Sequence, residues 1–353
     1  MTPELGIIEG FFGRPWSWAE RTAQLPFLAA NGFGFYLYAP KADRHLRRAW
    51  RRPYPTDELE RLSAFARAAA ASGVRLVAGL SPHEAYLDFD ASARQALSEK
   101  AAQLADAGVA GLAILFDDMR GDLPDLAARQ VEIVDFVADL RGDAALLVCP
   151  TYYSDDPVLD RVFGARPEGY LADLGARLDP AVGLMWTGPC VCSPSIDAAH
   201  LDRLAETIGR APVLWDNYPV NDGPRMSRRL HLRAFEGRAR DLGPRIRAHG
   251  ANAASQPVLS RIPLASLSEV YGTGAYDPAA AFRRGALDVC GPELARQLEA
   301  DLAALQDVGL DACEQDLAAL RVRYERFDHP AAKELIAWLD GAYAIGQDEL
   351  QTQ

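Results

Sequence analysis

The chain has 353 residues and a formal net charge of −12 at pH 7, which argues against nucleic acid or an anionic membrane as its main partner. Hydrophobic residues make up 49% of the chain and charged residues 24%, a composition that is typical of a globular protein with a large core. The length suits either one barrel with an appendage or two ordinary domains.

The N-terminal sequence and the cysteines together predict a cytoplasmic protein. No apolar run is long enough to span a membrane, and no basic segment precedes Leu5–Ile8 as it would in a secretory leader. The five cysteines are scattered, without a CxxC pair or a Cys/His cluster of zinc spacing. We therefore expect buried free thiols in a reducing compartment, and neither a metal nor a cofactor.

The first 270 residues alternate between short apolar runs and helical patterns. Eight of the runs have the length and the character of buried strands. They are Leu5–Glu9, Phe35–Tyr38, Arg75–Gly79, Leu112–Phe116, Ala145–Cys149, Gly183–Trp186, Pro212–Asp216 and Ile246–Ala251. Eight strand–helix units in about 250 residues predict a (β/α)8 TIM barrel over residues 1–270. Because the eighth run is weak, a doubly wound parallel sheet is the alternative.

Several of the intervening helices are marked at their ends. The segment Ser17-Trp18-Ala19-Glu20 has the pattern of a capping box, and Asn31-Gly32 is typical of a helix end. Thr56 is predicted to cap the helix that follows the second strand. These signals place helices between the strands, as a barrel requires.

Residues 271–353 have no strand pattern and predict a C-terminal helical appendage. Two or three helices fit Pro278–Val289, Pro292–Asp307 and Ala331–Ala344, with Cys313–Tyr324 between them. Four leucines between positions 294 and 305 form an apolar stripe, which the barrel, neighbouring helices or a second subunit must cover. A homodimer through these helices is therefore one option for this region.

Two adjacent carboxylates stand at the end of the fourth predicted strand. The apolar run Leu112–Phe116 leads directly into Asp117 and Asp118, and parallel strands of α/β proteins carry their chemistry at their carboxyl ends. Two neighbouring carboxylates in a closed pocket repel each other, so we expect one of the two to have a raised pKa. Three interpretations of such a pair are open. It performs acid/base chemistry at sugars, it forms half of a metal site, or it is simply two solvated aspartates at an exposed strand end.

Polar or aromatic residues follow most of the other predicted strands as well. The strand ends lead to Glu9-Gly10, Tyr38–Lys41, Pro150–Tyr153, Trp186–Gly188, Trp215–Asn217 with Asn221-Asp222, and Asn252. Together they predict a pocket with aromatic walls and polar rims, which suits a sugar ring.

Seven of these blocks carry a resemblance to a known family. The blocks are GIIEGFFGRPW (6–16), YLYAPK (36–41), LFDD (115–118), CPTYY (149–153), WTGP (186–189), VLWDN (213–217) and ND (221–222). In this order and spacing the chain resembles the catalytic barrel of glycoside hydrolase family 84, which includes O-GlcNAcases and related bacterial β-N-acetylglucosaminidases. The resemblance covers about residues 5–265.

The resemblance implies retaining, exo-acting hydrolysis of a terminal β-linked N-acetylglucosamine, for example O-GlcNAc on protein. The substrate's own acetamido oxygen attacks the anomeric carbon and gives an oxazoline, which water then opens. Asp117 resembles the residue that holds the acetamido N–H, and Asp118 resembles the general acid and base. The remaining matches contact the sugar: Tyr153, Trp215 and Asn217 around the acetamido group, and Gly10, Lys41, Asp222 and Asn252 at the hydroxyls.

Two other functions compete with this hypothesis. One is a catalytically silent barrel that only binds N-acetylglucosamine. The other is a metal-dependent hydrolase that uses Asp117, Asp118, Asp216 and Asp222. The basic segment Arg44–Arg52 is interpreted as a solvated face, with a lesser role in gripping the group that carries the sugar.

Overall fold

The computed structural model describes residues 2–142 and 144–346 and shows a closed barrel of eight parallel strands in sequence order. The strands are β1 (Glu4–Glu9), β2 (Phe33–Tyr38), β3 (Arg75–Leu80), β4 (Gly111–Leu115), β5 (Ala145–Cys149), β6 (Gly183–Trp186), β7 (Val213–Asp216) and β8 (Ala248–Asn252). The predicted (β/α)8 TIM barrel is confirmed, and the doubly wound alternative is wrong because β8 pairs with β1 and closes the sheet. The last part of the predicted appendage, 347–353, lies outside the described residues.

The described residues form eleven α-helices. They are α1 (Trp18–Ala30), α2 (Thr56–Ala71), α3 (Ala91–Asp106), α4 (Leu126–Arg141), α5 (Val158–Phe163), α6 (Tyr170–Arg177), α7 (Ala198–Ile208), α8 (Arg261–Val270), α9 (Pro278–Ala303), α10 (Glu314–Tyr324) and α11 (Pro330–Leu339). None of the helices in this part of the chain has the length and apolar character needed to cross a bilayer.

The capping signals are met at α1 but not at α2. The Ser17 hydroxyl accepts the Glu20 N–H and the Glu20 carboxylate accepts the Ser17 N–H, which is the predicted capping box. Gly32 follows α1 with a φ of +74°, a conformation that favours glycine. The prediction that Thr56 caps α2 is wrong: Pro55 occupies the cap position and Thr56 begins the helix. Proline there fixes φ without needing a side-chain cap.

Large side chains of the first two strands explain why β8 carries so weak a sequence signal. Ile8 and Phe35 fill the barrel interior together with residues from the other strands. A Cβ at Gly250, in β8, would lie 2.7 Å from Ile8 and 3.4 Å from the Phe35 ring. Only small residues fit opposite these side chains, so β8 lacks the bulky apolar run that marks a strand.

The C-terminal helices build a second hydrophobic core against the barrel. Gly291, with a φ of +74°, kinks α9 just before Pro292, where the sequence predicts two separate helices. Leu294, Leu298 and Leu305 are buried among residues of α8, α10 and α11. The leucine stripe is therefore covered by neighbouring helices of the same chain. The predicted homodimer stays a prediction, and this stripe does not support it.

Candidate active site

A cavity of about 270 Å³ opens at the carboxyl ends of the barrel strands. The structure brings all nine predicted site residues to its lining: Gly10, Lys41, Asp117, Asp118, Tyr153, Trp215, Asn217, Asp222 and Asn252. They come from both ends of the sequence because parallel strands place their carboxyl ends on one rim. Asp118 lies three residues after the end of β4 and has a φ of +59°. A non-glycine residue with this backbone is strained, and such strain is typical of functional sites.

The two carboxylates share a buried lysine. The Lys41 ammonium donates a short hydrogen bond to Oδ2 of Asp117 and another, of 2.8 Å, to Oδ2 of Asp118. The side chain of Lys41 is 6% exposed, and those of Asp117 and Asp118 are 9% and 27% exposed. The Lys41 ammonium therefore holds the two carboxylates together at the lining of the cavity.

A second cation approaches Asp118 from the same side. Nη2 of Arg47 lies 3.3 Å from Oδ2 of Asp118, the oxygen that also accepts from Lys41. Burial alone would raise the pKa of Asp118, but the Lys41 ammonium and the Arg47 guanidinium hold it below its ordinary value. The expected raised pKa is therefore not found at Asp118, because the loop after β2 supplies two cations.

The carboxyl group with a raised pKa is Asp222 instead. Burial raises its pKa to about 6, and the backbone N–H of Phe12, which donates to Oδ2 over 3.0 Å, offsets only part of this effect. The negative charge of Asp118 acts in the same direction as burial. Asp222 therefore titrates close to neutral pH, at the side of the cavity that faces Phe12.

Another part of the cavity wall is a network of amides around Trp215. Asn217 Oδ1 accepts the indole N–H of Trp215 over 3.0 Å and the Asn252 amide over 2.9 Å. Asn252 Oδ1 in turn accepts the backbone N–H of Gly10 over 3.2 Å. A Cβ at Gly10 would lie 2.5 Å from the Trp215 ring. Gly10 is therefore required by close packing against the indole, in addition to any contact with a ligand.

Of the two neighbouring tyrosines after β5, only Tyr153 lines the cavity. The hydroxyl of Tyr152 instead donates to the carbonyl of Gly164 over 2.7 Å. Burial raises the pKa of Tyr153 well above its ordinary value, and the Asp118 and Asp117 carboxylates raise it further. Its phenol is therefore neutral at any working pH and can donate a hydrogen bond.

The sequence analysis missed several residues of this site. The further lining residues are Phe12, Cys149, Thr187, Val191, Cys192, Val220 and Gly223. Phe12, Cys149 and Thr187 stand within the quoted blocks, so the blocks could have identified them. The expectation of buried thiols is wrong for Cys192 and Cys313, which are exposed; Cys192 lies in the loop after β6, at the lining of the cavity.

The basic segment Arg44–Arg52 is also only partly a solvated face. Arg44, Arg48, Arg51 and Arg52 are exposed, whereas Arg47 is 6% exposed. The guanidinium of Arg47 lies 5.6 Å from the centre of the Phe12 ring, which brings it beside Asp118. A run of arginines in a sequence does not reveal which one turns inward.

The donors named for a metal-dependent hydrolase do not form one site. Asp216 accepts two hydrogen bonds from Arg238, of 2.7 and 2.6 Å, and a ring nitrogen of His249 lies 3.0 Å away. Its side chain is 1% exposed, and it does not line the cavity. Across residues 2–142 and 144–346, no three His, Cys, Asp or Glu side chains are grouped so that they could hold a metal ion.

Known proteins are similar to this chain in both sequence and fold. Residues 5–304 match the model of a protein family described as beta-N-acetylglucosaminidase. The mouse and rat proteins named Protein O-GlcNAcase are each 31% identical over 251 residues, which is 69% of this chain. The chain matches only 27% of the length of these relatives.

The structural comparison covers nearly the whole chain. A solved structure of a mutant O-GlcNAc hydrolase from Thermobaculum terrenum has a TM-score of 0.78 and 27% sequence identity. The match covers 96% of this chain and 80% of that one. The chain therefore belongs to the beta-N-acetylglucosaminidase family, which is glycoside hydrolase family 84.

Proposed function

We propose that the protein is a retaining exo-β-N-acetylglucosaminidase that works by substrate-assisted catalysis. The single observation that carries this proposal is the pair Asp117 and Asp118 at the lining of one cavity. The volume of about 270 Å³ is at or below the lower end for ligand pockets, about 300 Å³. It therefore suits one terminal sugar rather than an internal stretch of a polymer.

The two carboxylates divide the first step between them. The acetamido oxygen of the substrate attacks the anomeric carbon while Asp117 accepts the acetamido N–H. The bond from the anomeric carbon to the leaving oxygen breaks, and that oxygen takes its proton from Asp118. The sugar remains as an oxazolinium ion, the N-protonated oxazoline, whose N–H still donates to Asp117 and whose positive charge the Asp117 carboxylate stabilises.

In the second step water opens the oxazoline. Its oxygen attacks the anomeric carbon from the face that the leaving group vacated, and Asp118 takes the released proton. The bond between the anomeric carbon and the acetamido oxygen breaks, which restores the amide. Two inversions at one carbon give net retention.

The remaining lining residues position the sugar. Tyr153 donates to the acetamido group, and the Trp215 face closes around its methyl group with Asn217 beside it. Asp222, Lys41 and Asn252 bind hydroxyls. Since the Gly10 N–H already donates to Asn252, the Gly10 carbonyl is the group that remains for a hydroxyl.

The ion pairs around Asp118 set a condition on this mechanism. A general acid must be protonated when the leaving oxygen departs, whereas Lys41 and Arg47 favour the ionised form. The substrate must therefore draw Lys41 away from Asp118 toward a sugar hydroxyl. The same contacts favour the second candidate function, a barrel that binds N-acetylglucosamine without cleaving it, if Lys41 stays in place.

The natural substrates we propose are conjugates that carry terminal β-linked N-acetylglucosamine, including O-GlcNAc on proteins. The family match and the names of the relatives support this class of substrate. A reducing, cytoplasmic location agrees with the five cysteines, all of which are free thiols in the structure.

Hydrolysis of an aryl β-N-acetylglucosaminide, followed by NMR, tests the proposal. We expect the β anomer to be released first, at the same rate with and without a chelator. Asp117→Asn should lose turnover, and Asp118→Asn should lose it most strongly on poor leaving groups. The matched control is Asp122→Asn, an exposed carboxylate four residues further along the loop. Binding without turnover would favour the silent barrel, and unchanged activity in both site variants would refute the mechanism.

A further inference from the structure

Arg47 stands apart from the other arginines of its segment. It is buried, and it faces the carboxylate to which we assign the proton transfers. It does not line the cavity, so it does not reach the sugar. Whatever it contributes to the reaction must pass through Asp118.

The surroundings of Arg47 are unusual for an arginine with a purely structural role. Its Nη1 is buried and has no hydrogen-bond partner among the described residues. Leaving a buried donor unpaired is destabilising, and more so when the donor is charged. The guanidinium is instead placed by its contact with Asp118 and by the Phe12 ring, which also lies 5.3 Å from the Lys41 ammonium.

We infer that Arg47 is a positioning residue for the proposed reaction: its guanidinium orients the Asp118 carboxylate and stabilises its ionised form, which receives the proton from water in the second step. Lys41 cannot fill this role alone, because the proposed mechanism moves Lys41 to a sugar hydroxyl. Arg47 has no sugar to bind and stays behind Asp118 throughout. The inference rests on the proposed function for its role in catalysis.

Charged or titratable groups, including Arg47 itself, face Asp118 from each neighbouring element. Lys41 and Arg47 come from the loop after β2, and Asp117 precedes Asp118 in the chain. The others are Cys149 and Tyr153 at the end of β5 and Asp222 in the loop after β7. Of these groups, only Lys41 and Arg47 are cations, so the loss of Arg47 leaves Lys41 as the only cation in this set.

The test compares three variants of the full chain. Arg47→Gln removes the charge, Arg47→Lys keeps it, and Arg44→Gln removes an exposed charge from the same segment. The carboxyl carbon of Asp118 is titrated by ¹³C NMR, with its signal assigned by its absence from Asp118→Asn. Removing an opposite charge at this range shifts a carboxyl pKa by about 1–3 units. We expect an upward shift of this size in Arg47→Gln, and none in Arg44→Gln.

Activity gives a second readout that a structural role would not move. The alkaline limb of kcat/KM on an alkyl β-N-acetylglucosaminide, a poor leaving group, should move to higher pH by the same amount in Arg47→Gln. Arg47→Lys should restore the wild-type profile. An unmoved Asp118 titration in folded Arg47→Gln, or an equal shift in Arg44→Gln, would overturn the inference. If the wild type has no turnover, the proposed function fails, while the NMR titration still decides whether Arg47 controls Asp118.

Discussion

Replacing Lys41 with methionine should destabilise the folded protein in a way that depends on pH. The substitution keeps most of the side-chain volume and removes the only ammonium that contacts both Asp117 and Asp118. Breaking a buried ion pair by removing one partner costs about 3–5 kcal/mol. Because the Asp118 side chain is 27% exposed and Arg47 remains beside it, we expect the lower end of that range at pH 8.

The pH dependence follows from the carboxyl groups that lose their cation. In the wild type the lowered pKa of Asp118 contributes stability above its unfolded pKa of about 3.9, and this contribution is lost as the pH falls. In Lys41→Met, burial and mutual repulsion raise the carboxyl pKa values of the folded state. The variant therefore regains stability as the pH falls, so its deficit should be smaller at pH 5 than at pH 8.

Urea unfolding followed by tryptophan fluorescence measures both effects. The control is Lys333→Met, which removes an ammonium from an exposed pair with Asp328 and should cost less than about 1 kcal/mol at either pH. A Lys41→Met deficit no larger than that of the control would refute the argument. A deficit that grows toward pH 5 would contradict the assigned ionisation of the carboxylates.

Two further predictions concern packing and the C-terminal helices. Gly10→Ala should abolish N-acetylglucosamine binding in a titration, because its Cβ would lie 2.5 Å from the Trp215 ring, whereas Gly274→Ala has no atom within 4 Å and should bind normally. Glu334, whose pKa burial raises to about 7, contributes most stability below its unfolded pKa and loses it as the pH rises through 7. The unfolding midpoint of the wild type should therefore fall between pH 6 and 8, and that of Glu334→Gln should not.

The position of the site could be predicted from the sequence because the residues at the carboxyl ends of barrel strands all lie at one rim. Once β4 is recognised, Asp117 and Asp118 must stand at the rim, and the same holds for Tyr153 after β5. The strand bounds differ from the predicted ones by a few residues, and Asn252 proves to be the last residue of β8 rather than part of the loop. A residue that closes a strand and one that follows it reach the same rim.

Side-chain contacts between loops could not be predicted in the same way. Arg47 and the exposed arginines of its segment have the same chemistry. In the fold Arg47 packs beside the Phe12 ring, from the loop after β1, and beside Asp118, and the sequence does not show such contacts between loops. The exposure of Cys192 depends similarly on how the loop after β6 lies over the cavity.

Three aspartates near the same end of the barrel show how much the loops decide. Burial would raise the pKa of Asp216, but Arg238 and His249 lower it to about 2. The pKa of Asp222, whose carboxylate accepts the backbone N–H of Phe12, is raised by burial to about 6. The pKa of Asp118 lies below its ordinary value because of Lys41 and Arg47. Strand position is therefore a poor guide to ionisation, and the cations brought by neighbouring loops are a better one. In a pH–rate profile we therefore expect an inflection near pH 6 to report Asp222, which the proposed function assigns to the sugar hydroxyls, rather than Asp118, the proposed proton donor.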